Sequence, residues 1–162
     1  ENGSVYNHAA IFYIYALYQV RESEKAFDLL CKILSGPETA DYLRRGQLPI
    51  FVPNYYRGAH RQFPQASGRS SHLFNTGTAA WLYRTVIEGL YGLKGGREGL
   101  WVRPQLPGEW LSARVTRRFR GATFHIDIRR GPPALRVDGV EQADACIRGV
   151  EAGRTYAVEV SL

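Results

Sequence analysis

The chain is predicted to be α+β, with helices first and a small antiparallel β-sandwich after them. Two observations carry that reading. Apolar residues recur at helical spacing up to about Leu93, and from Phe124 onward they alternate with polar ones. The period changes near Gly95–Leu100, which divides the chain into residues 1–98 and 99–162.

The elements are taken in chain order. Ala9 to Val20 is apolar at every position except Gln19, counting tyrosines as apolar, so a helix buried nearly all round is expected there. Arg21-Glu22-Ser23-Glu24 is a polar break, with Ser23 placed to cap the next helix. From Lys25 to Leu34, Ala26, Leu29, Leu30, Ile33 and Leu34 share one helical face, and Lys25, Asp28 and Lys32 take the other. Gly36-Pro37 ends that helix. A buried helix followed by an amphipathic one is the inner and outer alternation of an α/α barrel or a layered helical array. Asp41 to Ser71 has weak periodicity and holds Gly46, Pro49, Pro53, Gly58, Pro64 and Gly68. A segment of that length inside a compact domain is either a functional loop or misread structure. Ala79 to Leu93 is helical again, closed by Gly92 and Gly95-Gly96. Strands are expected at Phe124–Ile128, Leu135–Val137 and Tyr156–Leu162. Gly121-Ala122, Arg130-Gly131-Pro132 and Asp138-Gly139 supply the turns.

Composition bounds the function. With 44% hydrophobic and 22% charged residues, the 162-residue chain is an ordinary globular one, able to build one or two small cores. Aromatic residues make up 12%, which suits a dense core and equally a site where flat faces stack on sugar rings. The net charge of +6 is spread evenly along the chain. Its one dense cluster is Arg114, Arg117, Arg118 and Arg120. Strand geometry puts Arg114, Arg118 and Arg120 on one face and Arg117 on the other, a solvated sheet face rather than a nucleic-acid stripe. A basic surface also attracts phosphate and sugar phosphates. Cys31 and Cys146 lack metal-ligand spacing and read as reduced, partly buried residues, so no metal is expected. The chain has no signal peptide and no apolar run of about 18 residues, so a cytoplasmic protein is expected, with neither nucleic acid nor membrane as partner.

Two glycine-bounded polar motifs frame the helical part: Glu1-Asn2-Gly3-Ser4-Val5-Tyr6-Asn7-His8 and Phe74-Asn75-Thr76-Gly77-Thr78-Ala79-Ala80-Trp81. Each directly precedes a hydrophobic helix, where free N–H groups and partial positive charge suit an anion such as one phosphate. His8 reads either as a ligand or as a histidine entering a buried helix. Thr76-Gly77 reads as a hydroxyl with an unobstructed N–H, or as a helix cap supplied by Thr76 or Thr78, and the two readings are compatible. Tyr55, Tyr56 and Arg57 are candidates for a sugar subsite or for loop packing, and Glu1 for a substrate contact or a solvated end. The abrupt start at Glu1 suggests the tail of a longer protein, cut inside a functional site. His125 and Asp127 with Ser112 lack a nucleophile elbow, so no hydrolytic triad is expected. Gly92-Leu-Lys-Gly-Gly96 lacks phosphate-loop spacing.

Placed in this order, the motifs resemble the inverting disaccharide phosphorylases. This is the cellobiose and chitobiose phosphorylase family, which includes the phosphorylase-like region of cyclic β-1,2-glucan synthases. The matching stretches are Glu1 to Ala9, Asn75 to Arg84, Gly99 to Pro104 and Val115 to Phe124. Leu48 to Gly58 looks most like the cellobionic acid branch of the family. The resemblance implies that the chain is the C-terminal part of such a protein: the last helices of an (α/α)6 barrel followed by a jelly-roll-like β-sandwich. It implies a glycosyltransferase that phosphorolyses a β-linked, cellobionic acid-like disaccharide with inversion, giving α-glucose 1-phosphate. It implies that His8, Thr76 and Gly77 bind phosphate. The family's aspartic general acid and its phosphate-binding arginine belong to motifs absent here, so no catalytic residue is expected in this chain, and the fragment alone is expected to be inactive. Phosphate is then a substrate and no cofactor is expected. The expected partners are the disaccharide, phosphate and the N-terminal remainder of the protein, with a homodimer as one form of assembly. The alternatives are a cyclic glucan synthase C-terminal region, or a non-catalytic carbohydrate-binding module in isolation. An aromatic–Asp motif encoded upstream separates the enzyme from the module.

Overall fold

The computed structural model describes residues 3–34, 36, 45, 52–58, 60–70 and 77–162. It is α+β, and its chain divides into two compact units, residues 1–85 and 86–162.

In the first unit, strand β1 (Val5–Tyr6) leads directly into helix α1 (Asn7–Gln19), and helix α2 (Ser23–Ile33) comes next. Helix α1 ends where Arg21 takes a left-handed φ of 67°. There the Arg21 N–H donates to Tyr18 O and the Glu22 N–H to Leu17 O, satisfying the last carbonyls in the manner of a Schellman turn. The cap before α2 is Glu22, with no side-chain cap bond, so Ser23 opens the helix rather than capping it. Helix α2 buries Ala26, Leu30 and Ile33, while Asp28 and Lys32 pair at 2.6 Å on its outer face. Helix α1 differs from the all-round burial expected. It buries one stripe, Asn7, Ile11, Ile14, Leu17 and Tyr18, and leaves Phe12 42% and Tyr13 51% exposed. Among the described residues, α2 and the later helix α3 (Thr78–Arg84) both pack on α1, α3 meeting Phe12 and Tyr15 through Trp81. Strand β2 (Tyr55–Tyr56) comes from the segment of weak periodicity and pairs antiparallel with β1.

A π-helical stretch, Thr85–Leu90, succeeds α3 in the chain, within the segment expected to be helical. The second unit then turns at Gly92. This glycine has φ 63°, and a Cβ there would lie 2.0 Å from Arg103 O, so a side chain is excluded by conformation and by space. Strands β3 (Leu93–Gly95), β4 (Leu100–Val102) and β9 (Cys146–Ile147) make an antiparallel three-stranded sheet in the order β3-β4-β9. A five-stranded sheet has the order β5-β6-β10-β7-β8, formed by β5 (Ser112–Phe119), β6 (Ala122–Arg129), β7 (Ala134–Val137), β8 (Val140–Glu141) and β10 (Thr155–Ser161). Phe124, Ile126 and Ile128 of β6 are buried, as are Leu135 and Val137 of β7 and Tyr156, Val158 and Val160 of β10. The alternation thus marks the core face of each strand.

The purely antiparallel arrangement expected is corrected by one pairing. Strand β10 runs parallel to β6, from Thr155 opposite Thr123 to Ser161 opposite Arg129. Alternation defines a strand and its faces but not its direction. The direction comes from the crossover through β7, β8 and β9 that returns the chain beside β6. Hairpin β5–β6 turns at Arg120-Gly121 and hairpin β7–β8 at Asp138-Gly139, all four residues at positive φ. The Ala157 N–H and the Arg154 guanidinium bond the Asp138 carboxylate, each at 2.9 Å, and hold its carboxyl below the usual range.

The arginine cluster is likewise rearranged. Arg114 and Arg118 face solvent and Arg117 takes the other face of β5, but Arg120 leaves the strand. In the turn its guanidinium donates to Gly96 O at 3.1 Å and Arg97 O at 2.7 Å. Cys31 is exposed rather than part-buried. Cys146 is buried, and burial pushes its thiol up.

Candidate functional site

The residues singled out in the first unit converge. Strand β1 places Val5 opposite Tyr56 and Tyr6 opposite Tyr55, so the first polar motif is zipped to the tyrosine-rich segment. The pairing continues beyond the strands. A Cβ on Gly58 would lie 1.8 Å from Gly3 O, so the two backbones approach as only glycine allows. His8 lies one residue into α1 and is half-buried. Its Nε2 faces Gly77: a Cβ built on Gly77 would fall 2.7 Å from that nitrogen and 3.3 Å from Trp81 Cδ1. Gly77 has φ −64°, which any residue adopts, so what the glycine supplies here is room for the imidazole.

An aromatic wall backs this contact. The His8 ring lies 4.8 Å from Phe12, and Phe12 meets Trp81 edge-on at 4.6 Å. Trp81 also meets Tyr15 at 5.5 Å, and the Arg84 guanidinium sits over both rings. The Tyr6 hydroxyl lies 3.4 Å from His8 Nδ1. When it donates there, Nε2 carries the ring proton and presents an N–H beside Gly77.

A buried polar knot ties these parts together, and the sequence reading missed it. The Asn7 N–H donates to Asn54 O at 2.8 Å and Asn7 Nδ2 to Pro53 O at 2.9 Å. The Thr78 hydroxyl donates to Asn54 Oδ1 at 3.2 Å. Asn7, Asn54 and Thr78 are 0%, 7% and 1% exposed. Asn7 Oδ1 is buried with no hydrogen-bond partner among the described residues. Gly77 is the cap of α3 and Thr78 its first residue, and the Thr78 hydroxyl reaches across to another segment; Thr76, the other residue expected to cap, lies outside the described residues. The sequence signal was faint: an asparagine beside each candidate segment, Asn7 before His8 and Asn54 before Tyr55. The partners lie 46 and 24 residues apart, beyond any local pattern.

The remaining candidates have other surroundings. Tyr56 is buried, donates its hydroxyl to Ile33 O at 2.8 Å and receives Arg45 Nη1 at 3.1 Å, so its hydroxyl braces the loop. Tyr55 is half-buried. Arg57 is exposed, and among the described residues its guanidinium makes no hydrogen bond or ion pair, while its backbone bonds to Gly68 and Arg69 close a loop. Beside it a cleft of about 570 Å³ is lined by Arg45, Tyr56, His60, Pro64, Ser67 and Gly68, with His60 Nδ1 bonded to the Ser67 hydroxyl. Glu1 and Thr76 lie outside the described residues. Ser112, His125 and Asp127 form no triad. His125 Nδ1 bonds Thr116 Oγ1 at 3.2 Å, and Arg129 grips the Asp127 carboxylate at 3.0 Å through both its oxygens. That grip, with Arg114 nearby, holds the Asp127 carboxyl below its usual range. Among the described residues no three His, Cys, Asp or Glu side chains gather as for a metal ion, and no helix is long and apolar enough to cross a membrane.

Chemically, an imidazole beside a bare glycine, able to present an N–H there in one tautomer, over aromatic rings and next to a loop whose guanidinium is unpaired among the described residues, suits a small oxyanion and a polar ligand with a flat face. Over its whole length the chain is homologous to disaccharide phosphorylases. It is 51% identical over its whole length to the cellobionic acid phosphorylase of Neurospora crassa. It is 36% and 31% identical, again over all of this chain, to the 3-O-beta-D-glucopyranosyl-beta-D-glucuronide phosphorylase and the solabiose phosphorylase of Paenibacillus borealis. The chain spans about a fifth of the length of these relatives, covering 21–22% of each. No family model matches it.

Proposed function

We propose that this chain is the phosphate-binding and acceptor-binding part of an inverting disaccharide phosphorylase. His8, Gly77 and Thr76 hold inorganic phosphate, and Tyr55 and Arg57, with Glu1, contact the substrate. The rest of the polypeptide supplies the aspartic general acid. One phosphate oxygen attacks the anomeric carbon from the face opposite the leaving sugar, whose glycosidic oxygen takes the proton of that acid. Phosphate stands where an inverting hydrolase would activate water, so the site needs donors and positive charge rather than a base. The observation that carries this reading is the approach of His8 Nε2 to Gly77, two residues far apart in sequence. The name of the relative at 51% identity supports a cellobionic acid-like substrate. The exposed Phe12 and Tyr13 on α1 support a second part of the reading, that α1–α3 belong to a larger (α/α)6 barrel whose other helices cover that face. The third part is that the two sheets of the second unit form the C-terminal sandwich.

Phosphorus NMR tests the reaction. The complete polypeptide with cellobionic acid and phosphate is expected to give α-glucose 1-phosphate and gluconate, and this chain alone is expected to give none. Release of free glucose with phosphate unconsumed overturns the proposal.

Arg57 gives a finer test of the acceptor. A guanidinium forms a two-point pair with a carboxylate, and lysine does not reproduce its fork. In the reverse reaction Arg57→Lys in the complete protein is expected to lower kcat/KM for gluconate more than for glucose, by about tenfold for a lost charged hydrogen bond of roughly 1.5–3 kcal/mol. Equal losses for both acceptors assign Arg57 to loop structure, and a parent enzyme faster on glucose rejects the aldonate reading.

A further inference from the structure

We infer that Asn54 is a positioning residue that couples the phosphate side of the site to the acceptor loop, through its buried bond to Thr78; the inference rests on the reading of His8 and Gly77 as phosphate ligands. Three chain segments meet at this residue. The Asn54 carbonyl accepts the N–H of Asn7, the residue before His8. Its Oδ1 accepts the hydroxyl of Thr78, the residue after Gly77. Its own peptide leads into Tyr55, Tyr56 and Arg57. Each of these candidate ligands is therefore within one to three residues of a member of the knot.

The knot is rigid for a physical reason. Asn7, Asn54 and Thr78 are almost wholly removed from water. A donor or acceptor that lets go there finds no solvent to replace its partner, so the bonded arrangement is strongly preferred. A threonine in the first turn of a helix ordinarily bonds its own backbone. The Thr78 hydroxyl reaches across the site to Asn54, and the cap position before it is Gly77, which has no side chain to offer. Gly77, by contrast, is set against His8 by contact alone, with no side chain to grip it. The Thr78–Asn54 bond adds to the packing of α3 on α1 and ties the backbone at Gly77 to the strand pair that leads into His8 and carries Tyr55. Cutting it loosens both subsites together.

The test uses Thr78→Val, Asn54→Leu, their double variant and Thr78→Ser in the complete polypeptide, with KM for phosphate and for the disaccharide measured beside kcat and Tm. Each single change is expected to raise both KM values on the order of tenfold. The double variant is expected to fall short of the product of the two single effects, since the bond of Thr78 to Asn54 is lost in each. Thr78→Ser keeps the hydroxyl and is expected to stay within about twofold of the parent. Unchanged KM values with a lower Tm overturn the inference, as do single effects that multiply in the double variant. If Asn54→Leu does not fold, the comparison of Thr78→Val with Thr78→Ser decides alone. His8→Ala run in parallel separates the two levels. A raised phosphate KM in His8→Ala with a silent Thr78→Val removes the coupling and leaves the phosphate site. A silent His8→Ala removes the phosphate site and the coupling with it.

Discussion

Gly77→Ala in the complete protein is expected to cost far more phosphorolysis than stability. The backbone at Gly77 is in the ordinary right-handed region, so alanine fits its conformation. The new methyl would sit 2.7 Å from His8 Nε2 and 3.1 Å from its Cε1, closer than carbon and ring atoms approach. The atoms it meets end a side chain that turns about two bonds, so the imidazole moves and the backbone stays. Overpacking of this kind costs about 1 kcal/mol of stability when a side chain can yield. Displacing a ligand group by about 1 Å costs on the order of 10²-fold in rate. The expected result is thus a kcat/KM for phosphate lower by about two orders of magnitude, with Tm nearly unchanged. A large fall in Tm with the kinetics of the remaining folded enzyme intact would assign Gly77 to packing.

Phe124→Ala is expected to be the most damaging single change in the second unit. Phe124 has no exposed surface and stacks on Tyr156 at 4.9 Å with 10° between the rings. It lies on β6, which β5 and β10 flank, so the cavity opens under an interior strand of the five-stranded sheet. Such a truncation costs about 3–5 kcal/mol, a large part of the roughly 5–15 kcal/mol that holds a domain folded. Trp101 and Trp110 belong to this unit, so denaturant unfolding followed by tryptophan fluorescence in a Trp81→Phe background measures the loss. A shift below about 1 kcal/mol would mean that the sheet closes over the cavity.

These two positions differ in how far the sequence reveals them. Phe124 was legible as core because a period of two over Phe124, Ile126 and Ile128 has one structural meaning. Helices α1 and α2 were legible for the same reason at a period of 3.6, to within two residues at each end. What a period cannot carry is partnership. The parallel pairing of β10 with β6, the departure of Arg120 into a turn and the single buried stripe of α1 all depend on which elements arrive from elsewhere. The site shows the same limit. His8 and Gly77 were marked by motif and resemblance, but their meeting is a matter of three dimensions. Asn54 was passed over and Thr78 was read as a helix cap, because neither an asparagine after proline nor a threonine opening a helix points locally to a distant partner. The bond between them gives each a different role. Glu1, Thr76 and most of the segment from Asp41 to Pro49 lie outside the described residues, and the readings placed on them stand as sequence expectations.

The central claim is that His8 meets phosphate. Its most direct measurement is the KM for phosphate, at saturating disaccharide, of the complete protein and its His8→Ala and Thr76→Ala variants. Loss of one donor to a charged ligand corresponds to about 1.5–3 kcal/mol. Each variant is therefore expected to raise the phosphate KM about tenfold or more, with the disaccharide KM changed much less. Phosphate kinetics equal to the parent's in both properly folded variants would contradict the account.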